Sequence, residues 1–280
     1  MIKNLGVMQG RLLPKYQKRY QAHPVGYWQK EFPIAAELGL SFIEFILDYN
    51  DAEQNPLLTQ SGTDAIRRLS EKTGVLVKTV CGDYFMTAPI HSEYQKIATH
   101  STQILQRLLL KANKLGINDI VIPCVDQAAF RNEPQMILFC KNIGPARDVA
   151  EKLQIHLALE TDLPPKMFLT LLEMLDSPIF TVNYDTGNSA ALGYNPVEEL
   201  AAYGSRISDV HLKDRVKNGG SVELGTGDAD FRSFFDALAQ SNYNGPLIMQ
   251  AYRDDEGVAI LKKQLHWILP WIPKAFSYIG

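Results

Sequence analysis

The sequence predicts an α/β protein folded as a single closed (β/α)8 barrel, and three observations carry that expectation. Short apolar, β-prone runs alternate with amphipathic stretches of helical period, eight of each in strict order. Most of the runs are continuously apolar, the pattern of a parallel sheet whose outer face is covered by helices. The 280 residues match the length of one such barrel, about 250 being usual, and leave little for a second domain. Residues 1–280 are therefore read as one domain.

Gly6–Gly10 reads as the first strand, and the polar, Tyr-rich segment from Arg11 to Tyr27 as a long loop. Loops of that length in compact domains are usually functional or disordered, and this one follows a strand's C-terminal end, so it could be a lid, with Arg11, Tyr16, Arg19 and His23 as candidate substrate contacts. Trp28 to Leu38 has helical spacing and stops at Gly39, a C-terminal cap. In the second strand, Phe42–Leu47, Glu44 needs a partner if buried, either as a pocket group or in a structural ion pair. A helix at Gly62–Thr73 stops at Gly74, and the third strand, Val75–Cys81, gives way to Gly82 and Asp83. A long helix from Ser92 to Leu115 ends at Gly116, before a fourth strand at Asp119–Val125. Helices at 134–153, 166–175 and 196–203 precede strands ending at Glu160, at Asp185 and near His211. Phe231–Gln240, the strand Pro246–Ala251 and a helix at Gly257–Trp267 complete the alternation.

The net charge of −3 and pI near 6.1 oppose a nucleic-acid footprint, which needs a basic face. Cys81, Cys124 and Cys140 are too few and too scattered for a disulfide framework or a Cys-rich zinc site. No stretch reads as a signal peptide, and no apolar run approaches the roughly 18 residues of a membrane span. A cytoplasmic protein without membrane or nucleic-acid partners is expected, and assembly into a homo-oligomer is allowed without being required. Neither Gly-x-Gly-x-x-Gly after the first strand nor a Gly-Lys-Ser/Thr phosphate loop occurs, which removes the commonest nucleotide sites.

Three successive strands end in groups able to bind a metal: Glu160 before Thr161-Asp162, Asp185 before Thr186-Gly187-Asn188, and His211 before Leu212-Lys213. Singly, each is more often a helix cap or a satisfied core residue. Together, at the face where parallel barrels keep their chemistry, they point to one divalent cation such as Mn²⁺, Mg²⁺, Co²⁺ or Zn²⁺.

That set, with Gly6-Val-Met-Gln9-Gly10-Arg11, Phe42-Ile43-Glu44 and Gly225-Thr226-Gly227-Asp-Ala-Asp-Phe231, resembles the sugar-phosphate isomerase/epimerase branch of the xylose-isomerase-like TIM barrels, over almost the whole chain. The resemblance implies a metal held by four strand-end residues, usually Glu, Asp, His and Glu, with the two Glu residues moving protons on opposite faces of a sugar. Here the set is Glu160, Asp185, His211 and Gln250. An amide at 250 can still coordinate but brings no charge and cannot act as a base, leaving two negative ligands rather than three.

The implied activity is a divalent-metal-dependent isomerase or epimerase of a small sugar or sugar phosphate, working through a metal-bound enediolate with Glu160 as base. The second acid/base group is then Asp83, Lys213 or water. Lys213 also suits an oxyanion or phosphate, and Gln9, Arg11, Glu44, Asp83, Asn188 and Arg215 are further candidate substrate contacts. The Gly225-Thr-Gly227 loop reads as a phosphate cradle or as a plain turn. His211 requires an acceptor behind its second ring nitrogen, for which Asp214 is one candidate. The alternatives are a metal-dependent dehydratase of a keto-polyol, or a barrel that binds sugar without turning it over.

Overall fold

The structure, a computed structural model, describes residues 2–241 and 243–272. Eight parallel strands close into a barrel: β1 (Ile2–Met8), β2 (Leu40–Ile46), β3 (Thr79–Cys81), β4 (Asp119–Cys124), β5 (His156–Thr161), β6 (Phe180–Asp185) and β7 (Ile207–Leu212), with β10 (Leu247–Met249) pairing both β7 and β1. Between β7 and β10 lies a small antiparallel hairpin, β8 (Asp214–Arg215) and β9 (Ser221–Val222), that the sequence reading lacks. Among the described residues no helix is long and apolar enough to cross a membrane.

The main helices fall where apolar spacing and glycine stops place them. The helix Gln95–Leu115 shows the cause: Ala98, Ser101, Leu105, Leu108, Leu109 and Ala112 recur on one buried face, and Gly116 ends the helix at φ 67°. Truncating Leu108, fully buried, would cost about 2–5 kcal/mol by leaving a cavity.

Several expected elements differ. The first strand runs Ile2–Met8 rather than Gly6–Gly10, and the last Leu247–Met249 rather than Pro246–Ala251. The third strand is shorter than Val75–Cys81: Leu76 makes one isolated bridge to Phe42 and is 40% exposed, and only Thr79–Cys81 joins the barrel ladder. Thr186-Gly187-Asn188 after β6 opens a short helix, Thr186–Leu192, whose first turn the Asp185 carboxylate caps.

Within the strand set, Ile46, Cys81, Val121 and Ala158 lie side by side in register and cluster with Met8 and Ile248. This apolar ring ties the strands together and leaves polar chemistry to the strand ends.

Candidate active site

Strand register alone brings two site residues together, since Asp185 on β6 pairs with His211 on β7. Glu160, at the end of β5, completes a group in which one ligand atom from each of Glu160, Asp185 and His211 lies within 4.8 Å of the others. Asp185 divides its carboxylate between two tasks. Oδ1 accepts from the N–H groups of Gly187 and Asn188, each at 2.8 Å, while Oδ2 faces Lys213 Nζ at 3.2 Å and His211 Nδ1 at 4.0 Å. Helix cap and candidate ligand are thus the same residue.

His211 is fully buried between two acidic surroundings. Its Nε2 lies 2.8 Å from Glu44 Oε1, and its Nδ1 faces Glu160 Oε2 at 3.8 Å. Asn183 Nδ2 donates to Glu160 Oε2 at 3.1 Å and lies 3.0 Å from His211 Nδ1. Burial works against a charged ring, but the charge and hydrogen bond of Glu44, with Glu160 and Asp185, prevail and raise His211 to about 9. Glu160 is pushed up to about 7, first by burial and then by the Asp185 charge.

Carboxylates and an imidazole gathered in this way could hold a divalent cation, with His211 Nδ1 towards Glu160 and Asp185 and Nε2 against Glu44. A further observation fits the same group: the buried carbonyl oxygen Oε1 of Gln250 has no hydrogen-bond partner. Gln250 shares the lining of a cavity of about 310 Å³ with Arg11, Gln21, Asp83, Glu160 and Lys213.

Residues 32–271 match the family described as xylose isomerase-like TIM barrel. The chain belongs to that family. An L-ribulose-5-phosphate 3-epimerase, UlaE, from Salmonella heidelberg (strain SL476) is 29% identical over 263 residues, covering 89% of this chain and 91% of the relative. In fold, the chain is similar to D-psicose 3-epimerase from Clostridium cellulolyticum H10, solved with D-tagatose (TM-score 0.76, 14% identity, 98% of this chain and 100% of that one). It is also similar to the IolI protein solved with a zinc atom (TM-score 0.77, 13% identity, 98% and 100% coverage).

In this xylose isomerase-like barrel, Asn188 is the hub of one cavity wall. Its Nδ2 donates to Glu160 Oε1, and its Oδ1 accepts from Lys213 Nζ at 3.1 Å and Arg215 Nη1 at 2.8 Å. Gly187 permits this wall, because a Cβ there would lie 2.7 Å from Lys213 Cγ. Asp83, also lining the cavity, accepts from Gln21 Nε2 at 2.9 Å and lies 3.1 Å from Cys81 Sγ; burial raises its carboxyl above the usual range.

Other expected contacts lie elsewhere. Gln9, fully buried, is pinned between Ile46 N and His23 Nδ1, and Glu44 is fully buried behind His211; neither lines the cavity. Tyr16, Arg19 and His23 face Asp51, Asp48 and Gln9 rather than the cavity. Asp214 does not orient His211: its carboxylate accepts from the N–H groups of Gly225, Gly227 and Ala229. That bonding also corrects the phosphate-cradle reading of the loop, whose Gly225 and Gly227 N–H groups already have a partner.

Sequence reasoning missed Asn183 and Gln21. Asn183 is detectable as a polar residue two positions before Asp185, hence on the same strand face. Gln21 carries no local signal, sitting in a loop of similar polar residues. A second cavity, about 540 Å³, lies at the strand starts beside Asp119 and His156; despite its size it is remote from the strand-end chemistry.

Proposed function

We propose that this protein is a divalent-metal-dependent epimerase of a small ketose or ketose phosphate, with Glu160, Asp185, His211 and Gln250 holding the cation. The observation that carries the proposal is the convergence of Glu160, Asp185 and His211 within 4.8 Å. The name of the Salmonella relative supports a 3-epimerase of a pentulose phosphate. The cavity, about 310 Å³, is at the small end of ligand pockets and suits a monosaccharide.

A cation held by Glu160, Asp185, His211 and Gln250 would supply Lewis acidity at a substrate oxygen, which would acidify the neighbouring C–H. Glu160 takes that proton as carboxylate. Asn183 and Asn188 each donate to one Glu160 oxygen and so fix the plane of the carboxylate. Lys213 and Arg215 stand on the Glu160 side, through Asn188, where they place positive charge against a developing oxyanion or a phosphate.

Inversion needs a proton donor on the other face, and Gln250 cannot serve. Asp83 fits that role: it lines the cavity and joins Gln250 through Gln21. Its burial favours the protonated form that a donor requires.

The test is incubation of the Mn²⁺-loaded protein in D₂O with a panel of ketoses and ketose phosphates, L-ribulose 5-phosphate among them. Epimerisation gives a diastereomer labelled at the inverted carbon, seen by NMR. Binding without deuterium in any sugar would sink the reading, and an unsaturated product would favour dehydration instead.

A further inference from the structure

We propose that Gln21, on the loop between β1 and the first helix, is a positioning residue that holds Gln250 with its carbonyl oxygen turned into the cation site. The proposal rests on the cation reading above and extends it to a residue of the covering loop.

The orientation follows from donor and acceptor chemistry. Arg11 is buried, its Nε donating to Ala251 O at 2.9 Å and its guanidinium 5.1 Å from the centre of the Tyr20 ring. A guanidinium only donates, so the Gln21 atom 2.9 Å from Arg11 Nη2 must be the carbonyl oxygen. The other end of the Gln21 amide, its NH₂, faces Asp83 Oδ2 at 2.9 Å, which accepts. Both partners therefore select the same flip of Gln21.

Gln250 is constrained in turn. It approaches the Gln21 oxygen at 3.1 Å and must present its NH₂ there. Its own oxygen then faces the other way, buried and without a partner in a side chain only 4% exposed. A buried carbonyl left without a donor is unfavourable unless something else occupies it, and a cation held by the neighbouring donors would do so.

The same geometry matches the loop to an amide at this position. A carboxylate at 250 would set an acceptor against the Gln21 oxygen, and Gln21 could not turn over without presenting its NH₂ to Arg11.

The test is a double-mutant cycle on the full chain, read as Mn²⁺ affinity from the free-ion EPR signal, with melting of the metal-free protein as a control on folding. Gln21→Leu is expected to weaken Mn²⁺ binding about tenfold. Gln250→Leu should weaken it as well, and Gln21→Leu/Gln250→Leu should bind no more weakly than Gln250→Leu alone. Wild-type affinity in Gln21→Leu, or an equal loss from Gln21→Leu in both backgrounds, overturns the positioning role while leaving the cation site standing. A wild type that takes up no Mn²⁺ overturns the cation reading itself, and this inference with it.

Discussion

Glu44 Oε1 lies 2.8 Å from His211 Nε2, with both side chains fully buried. The two residues are 167 positions apart, yet they form a unit in which the carboxylate holds the ring and leaves Nδ1 facing Glu160 and Asp185. A carboxylate behind a histidine fixes the tautomer and strengthens the ring as a donor.

Glu44→Gln keeps the shape but removes that charge. Mn²⁺ affinity is expected to fall about 10- to 100-fold, measured by isothermal titration. Unchanged affinity would detach Glu44 from the proposed centre.

His211→Ala and Asp185→Ala each remove a proposed ligand, and metal analysis after gel filtration should show loss of retained cation. Stoichiometric metal in both variants would refute the assignment.

Asp83→Asn keeps the hydrogen bond acceptor for Gln21 but cannot donate a proton from a carboxyl. Inversion should slow by about 100-fold or more, while Glu160 continues to exchange the substrate proton with D₂O. Equal loss of inversion and exchange would show that Asp83 is not a second acid acting after proton removal.

His91 provides a stability prediction away from the site. Its ring lies 4.7 Å from Phe130, centroid to centroid, and burial lowers it to about 4. Because the folded value is below the unfolded value of about 6.5, the stabilisation is present above that pH and is lost as pH falls towards and through 4. The loss is at most about 3 kcal/mol. Melting temperature should therefore fall between pH 6.5 and 4, and His91→Leu should reduce that fall; an identical pH profile would exclude His91 as its source.

The barrel and the Glu160–Asp185–His211 series were legible in the chain because they depend on local order. Continuous apolar strands, amphipathic helices with glycine stops, and polar residues at strand ends are properties of neighbouring residues, and a parallel barrel places all such ends on one face. Tertiary structure alone decided what each polar group bonds. It set Glu44 behind His211, gave the Gly225 and Gly227 N–H groups to Asp214, and brought Gln21 to Gln250 across 229 positions. Hydrogen-bond partners are chosen by distance and direction in a closed barrel, and sequence spacing does not encode contacts made across it.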